Sequence, residues 1–515
     1  MKLVYNVNDK PKFGQLIIFA LQQLLAIMAA TLAVPYIIGN GMDPAAALFG
    51  AGIGTLVYVL FTARRSPVFL GSSFAFLGSM SAAFAGGVSM QLGYLGLIIG
   101  AIFAGLVYVV IALIVKFVGV KWISKLMPAV VIGPIVALIG LSLAGNAIGD
   151  LQTTNNYEIL DNESVVIAPD EEDESQLVVY DTDGNVIANA AVDYDDEGVA
   201  TVTKSNGSVY VAIICGLATL ATIIVCSTYG KKTARLIPFI FGILAGYAVA
   251  SIFTIIGNAA GIDALKVVDY SPFKALWAEG VGVKTFIHIP DFTFLTAWKG
   301  FADLKDNMSY LGTIAVAYMP VAFVVFAEHI ADHKNISSII EKDLLEDPGL
   351  HRTLLGDGIG SMAGALFGGC PNTTYGESVG CVAITKNASV YTIIAAACEA
   401  IIVAFIAPLV AFVNSIPSCV MGGVCMALYG FIAVSGLKMI QDVDLGKNKN
   451  LFVVSVILIT GIGGLTLTFG KVTITTIAVA LILGILTNIL VSKDKDEEVV
   501  EATSAKNAGK GKKSK

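Results

Sequence analysis

Charge is what this chain has least of. Asp, Glu, Lys and Arg make up 14% of its 515 residues, against ~25% in a typical soluble protein. A water-soluble globule of this size could not cover its surface with so few. Hydrophobic residues are 56% and mean hydropathy is +0.79. Soluble enzymes, nucleic-acid binders and disordered proteins are thereby excluded. Histidine is scarce too, with four in all. The seven cysteines form no CxxC pair, which argues against a disulfide framework or a zinc site. No small-residue cleavage pattern accompanies the first apolar run, so it reads as an anchor and not a removed leader.

What is present is a series of apolar runs long enough to span a bilayer, about 20 residues each. They fall at 14–34, 45–62, 91–115, 127–147, 208–228, 236–257, 309–331, 391–414, 420–440, 450–469 and 473–492. Segments 68–86, 353–368 and 370–385 are shorter or broken, and with them the count is 14 crossings. Lys and Arg collect in alternate short loops, at Arg64–Arg65, at Lys116, Lys121 and Lys125, at Lys231, Lys232 and Arg235, and at Lys438, Lys447 and Lys449. That alternation is the positive-inside pattern. It predicts an all-α polytopic protein of the cell membrane with both termini in the cytoplasm.

The acids are placed unevenly, with 15 of 39 lying between Asp150 and Glu197. Within 149–207, QLVVYDTDGNVIANAAV predicts short strands about an Asp-Gly turn, hence a small β-rich appendage outside the membrane. Asp181-Thr-Asp-Gly-Asn has the glycine too early for a calcium loop, and no Glu closes it. The tail 493–515 is charged and lacks apolar periodicity, so it is expected to be disordered.

In a bilayer, ionisable residues and interrupted helices are the informative features. VVFAEHIADHKN places Glu328 and Asp332 one helical turn apart on one face, with His329 and His333 on the neighbouring face. A bland reading has the helix emerging into the cytoplasm at Lys334, which suits His333 better than Glu328. GGCPNTTYGESVGCVAITK, residues 368–386, is too polar and short for one full helix. Pro371 to Thr374 favour an extended stretch, Gly376 permits a turn, and Glu377 then opens a short helix ending near Thr385. In the first half, SPVFLGSSFAFLGSM follows the same course. Superposing Pro67 on Pro371 sets Gly71 beside Tyr375. Two interrupted segments, third and tenth in order, fit two repeats of seven spans, and an odd number of spans per repeat forces inverted topology.

LGSSFAF, FAEH, KDLLEDPGLHR, PNTTYGES, MGGV and LYG, in this order, resemble the nucleobase–cation symporter family over about 10–490, apart from the acidic insert. The resemblance implies a 7+7 inverted repeat divided into a core bundle and a gate bundle, with each half-helix preceded by an extended strand. On this sequence the core would be 13–115 and 309–414 and the gate 120–258 and 415–492, with 259–308 an extracellular or interfacial connection. It further implies proton-coupled import of a nucleobase, with uracil favoured by TTYGE, in a homodimer. No cofactor is expected beyond the proton as coupling ion, and no nucleic-acid partner.

Carried over by position, Glu328 and Glu377 match the two carboxylates that contact the base. Phe74, Tyr375 and Gly376 match residues bordering it, and Tyr429 matches a tyrosine facing it from the gate. Glu328, Asp332 and His329 are the expected proton-coupling group, with Gln23, Ser73, Ser378 and Thr385 in secondary positions. Three residues depart from the family pattern. Gln23 stands where a His is common, Asp332 stands where a His often follows the Glu by one turn, and Ser378 stands where Asn is usual. The competing readings are a xanthine or purine-base permease, a sulfate or bicarbonate carrier of the same architecture, and a membrane-embedded enzyme using His329, Asp332 and His333. Two acids in a midplane site argue against an anion, and the two histidines do not share a face with Asp332.

Overall fold

A computed structural model describes residues 3–119, 128–154, 157–160, 165–169, 177–181, 186–187, 190–194, 200–231, 233–278, 280–441, 443–469 and 472–491. The tail 493–515, Lys121, Lys125 and most of the Asp181-Thr-Asp-Gly-Asn turn lie outside the described residues.

The molecule is a helical membrane protein. Eight described helices are long and apolar enough to cross a bilayer: Phe13–Ile38, Pro44–Phe61, Met90–Val118, Ala129–Gln152, Val209–Tyr229, Pro238–Ala260, Ser309–Ile340 and Ser418–Met439. The remaining expected crossings are shorter or interrupted. The run 391–414 divides into Val390–Val403 and Ala407–Asn414, because Pro408 suits the first turn of a new helix and not the interior of a continuing one. The runs 450–469 and 473–492 yield helices Asn448–Ile462 and Thr476–Val491, joined by a hairpin of strands Leu467–Phe469 and Val472–Ile474.

The helices pack in two groups. In one, Pro44–Phe61 lies along Leu350–Gly368, Met90–Val118 lies against both Leu350–Gly368 and Ser309–Ile340, and Phe13–Ile38 lies along Val390–Val403. Small residues allow the closest of these approaches. A Cβ on Gly50 would sit 2.5 Å from the Gly364 carbonyl oxygen, and one on Gly54 would sit 2.7 Å from that of Gly360. In the other group, Ser418–Met439 packs on Ala129–Ser142 and Val209–Tyr229, and Val209–Tyr229 packs on Pro238–Ala260. A separate apolar cluster joins the groups, with Ile237 against Ala26 and Cys381.

Between Gln152 and Val209 the acidic stretch carries five described strands. Tyr157–Leu160, Ala200–Ser205 and Ala190–Tyr194 form one antiparallel sheet, and Val165–Pro169 pairs with Leu177–Asp181. Tyr180 forms an antiparallel bridge with Val186.

Candidate functional site

The two interrupted segments meet in the middle of the first helix group. Strand Leu70–Ser72 pairs antiparallel with Asn372–Thr374, with Leu70 opposite Thr374 and Ser72 opposite Asn372. Each strand follows a proline and is only three residues long, because a helix begins at once: Phe74–Phe76 and Leu77–Phe84 after the first, Gly376–Thr385 after the second. Side chains fasten the crossing to its surroundings. Thr55 Oγ1 accepts from the Leu70 N–H at 2.9 Å and donates to the Leu70 carbonyl at 3.2 Å. Asn372 Nδ2 donates to the Gly50 carbonyl at 3.0 Å. The Tyr375 ring lies across Gly71, and its hydroxyl donates to the Ser72 carbonyl at 2.5 Å. The superposition of Pro67 on Pro371 set these two residues at equivalent places in the repeats, and in space they touch.

A small cavity of about 50 Å³ lies at the start of both half-helices. From the crossing it is lined by Ser73, Phe74, Thr373, Tyr375, Gly376 and Glu377, and from the long helix Ser309–Ile340 by Glu328. Val136, Ile139 and Ile432 of the second helix group close the opposite wall. Two helix N-termini therefore aim backbone N–H groups and partial positive charge at the cavity, while two carboxyl groups offer acceptors. Tyr429, 2% exposed, stands behind Phe74 with its ring edge-on at 6.0 Å.

The other expected residues are distributed as follows. Asp332 is buried next to the crossing and accepts from Thr374 Oγ1 at 2.9 Å. Ser378 Oγ accepts from the Phe69 N–H at 2.9 Å and from the Gln23 side-chain amide, so two of the departures from the family pattern are bonded to each other. His329 points away from the cavity. Its Nδ1 lies 2.9 Å from Asp357 Oδ2 and its Nε2 lies 2.9 Å from Thr353 Oγ1, both on the neighbouring helix Leu350–Gly368. Thr385 is not brought to the cavity either. It sits at the far end of its half-helix, donating to the Cys381 carbonyl at 2.7 Å.

His333 does not emerge into solvent. Its helix continues to Ile340 and the side chain is fully buried, stacked on His329 at 4.0 Å. His333 Nδ1 bonds the His329 carbonyl and Nε2 meets the Tyr58 hydroxyl at 2.7 Å. Asp357, Thr353 and Tyr58 were not singled out by sequence. Asp357 carried one signal, a lone acid between two glycines in an apolar run. Among the described residues no group of His, Cys, Asp and Glu could hold a metal ion.

A sequence model described as the permease family matches residues 14–167 and 197–470. The chain belongs to the nucleobase–cation symporter family of permeases. It is 37% identical over 494 residues to a uracil permease of Bacillus caldolyticus, covering 95% of each chain. It is 35% identical over 501 residues to the uracil permease of Bacillus subtilis (strain 168), covering 96% of this chain and 97% of that one. With the uracil permease of Escherichia coli (strain K12) it shares 32% over 501 residues, covering 96% of both. Among solved structures it resembles the transmembrane domain of a cyanobacterium bicarbonate transporter, BicA, with TM-score 0.56 and 15% identity over 94% of this permease and all of that chain. Murine Solute Carrier 26 family member A9 in the inward-facing state gives TM-score 0.54 and 10% identity, over 94% of this permease and 69% of that chain. These neighbours share the inverted-repeat fold. The family match leaves out only 168–196 of the acidic stretch, so the departure from the family is narrower than 149–207.

Proposed function

We propose that this permease imports a nucleobase, uracil first, across the cytoplasmic membrane in exchange for the free energy of a proton gradient. The observation that carries the reading is the cavity with Glu377 and Glu328 at the start of two half-helices. A uracil ring presents N–H donors and C=O acceptors around its edge and apolar faces above and below. Carboxylates accept from N–H, half-helix N–H groups donate to C=O, and Phe74, Val136, Ile139 and Ile432 cover the faces. Full-length similarity to uracil permeases supports the choice of base. The fold neighbours include a bicarbonate transporter, but among the described residues the cavity lining holds no cationic side chain to receive an anion.

In this reading the helices 13–115 and 309–414 form the moving core, and 120–258 and 415–492 form the gate. The termini face the cytoplasm, and the protein works as a homodimer in the lipid bilayer with no cofactor besides the coupling proton. Glu377 accepts a hydrogen bond from the base. Glu328, with Asp332 one turn away, carries the proton. Neither forms an ion pair with Lys or Arg among the described residues, which leaves each carboxyl available to the coupling proton. His329 serves by fixing the long helix against Leu350–Gly368 and not by touching substrate. Labelled uracil uptake into vesicles, competed with xanthine, urate and adenine, tests the assignment. Uptake competed by uracil and not by the purines is expected, and vesicles that take up bicarbonate or a purine but no uracil would overturn it.

A further inference from the structure

The half-helix that presents Glu377 is ten residues long, Gly376–Thr385. Its first turn is held by the strand crossing and by Ser378. Its last turn ends at Lys386, in a left-handed conformation with φ 56°. A short helix with one free end can shift along its axis, and any such shift moves the carboxyl at the other end. The end is not free here. The polar segment before the first span, Leu3–Asp9, lies across it. The Val4 N–H donates to the Lys386 carbonyl at 2.8 Å, and Tyr5 bridges Asn387 in parallel register. The Ala388 N–H donates to the Tyr5 carbonyl at 2.9 Å and the Val390 N–H to the Val7 carbonyl at 3.0 Å. Ser389 Oγ donates to the Asp9 carbonyl at 2.6 Å.

The segment is itself anchored to the first helix. The Tyr5 hydroxyl donates to Gln15 Oε1 at 2.6 Å, its ring meets Phe19 edge-on at 6.0 Å, and Val7 is buried in the main core. An Asn6–Asp9 turn closes it, with the Asn6 N–H 2.7 Å from Asp9 Oδ2. The same first helix supplies Gln23, which reaches Ser378 at the other end of the half-helix. The half-helix is thus tied at both ends to one long helix, by a side-chain pair near Glu377 and by a backbone strap at Lys386.

We propose that Leu3–Asp9 is a positioning strap for the substrate site, with Val4, Tyr5 and Ser389 setting the height at which Glu377 meets the base. The proposal rests on the reading of Glu377 as a substrate contact. The strap acts through the half-helix and touches no substrate, so its loss weakens binding while leaving the carboxyl in place.

The test uses the full chain. Val4→Pro deletes the shorter of the two N–H bonds to the Lys386 carbonyl, leaving the Tyr5 N–H at 3.4 Å, whereas Val4→Ala keeps both. Ser389→Ala removes one side-chain tie and is the milder variant should Val4→Pro lower the yield of folded protein. Each is assayed for uracil Kd, for uptake KM and Vmax, and for amide exchange over 376–390. Val4→Pro is expected to raise Kd and KM together by about tenfold with Vmax within twofold, and to speed exchange at 384–390. Ser389→Ala should move both readouts the same way by a few-fold, and Val4→Ala should match the wild type. Wild-type Kd and wild-type exchange in both strap variants would overturn the proposal. Amide exchange needs no ligand, so a strap that holds the half-helix in a protein that fails to bind uracil would count against the nucleobase reading alone.

Discussion

Replacing Gly71 by alanine tests the strand crossing at the point where it has least room. The added Cβ would sit 2.4 Å from two ring carbons of Tyr375, where 3.4 Å begins ordinary contact, so one side must give by about 1 Å. Gly71 sits in the paired strand opposite Thr373 and cannot readily retreat. The ring can move only by stretching its hydroxyl bond to the Ser72 carbonyl. Overpacking of this kind costs ~1–3 kcal/mol, and the lost hydrogen bond adds about 1 kcal/mol. The total of ~2–4 kcal/mol divides between fold stability and substrate affinity, because the ring borders the cavity it would be pushed into. If affinity bore all of it, binding would fall by ~30-fold or more. The assay pairs a thermal melt in detergent with a uracil titration of the same preparation. Gly78→Ala is the control, since a Cβ there meets nothing within 4 Å. Gly71→Ala with wild-type melting and wild-type affinity would refute the geometry.

Two other outcomes follow from the same site. Glu328→Gln keeps the shape of a protonated acid, so it should still bind uracil but lose accumulation driven by a pH gradient across vesicles. If it still concentrates substrate, the coupling group is Asp332 or Glu399, the latter on helix Val390–Val403 with both carboxyl oxygens buried and without a hydrogen-bond partner among the described residues. Replacing 168–196, which the family match omits, with a short polar linker should change uptake by less than about twofold, since surface insertions of this length are tolerated. Loss of uptake by folded protein would make that stretch part of the mechanism.

Much of the site was legible because it breaks a rule of membrane helices. Proline, an extended stretch, glycine and a short helix, repeated at 67–80 and 371–385, could not form continuous spans. Their equivalence in two inverted halves was visible in the pattern, but the pairing of Leu70–Ser72 with Asn372–Thr374 was not, because three-residue strands far apart in sequence carry no register signal. Three further features were hidden for physical reasons. Lys334 marks where charge first appears on one face of the helix, not where the helix leaves the protein, so His333 was expected nearer the surface than it lies. Asp357 is a single acid whose partner, His329, is 28 residues away in sequence. The hairpin in LTLTFGKVTIT alternates with period two, a strand pattern, but its apolar content merged it with the flanking spans.

The measurement that bears most directly on the account is the uracil dissociation constant of purified Glu377→Ala beside the wild type. Glu377 stands at the start of the second half-helix with its carboxyl on the cavity, so the base loses a charged acceptor when it is removed. A lost buried hydrogen bond costs ~1–3 kcal/mol, and 1.4 kcal/mol is tenfold. The account predicts wild-type binding of uracil and at least about tenfold weaker binding by a variant that remains folded. Equal affinity in the two proteins would contradict it.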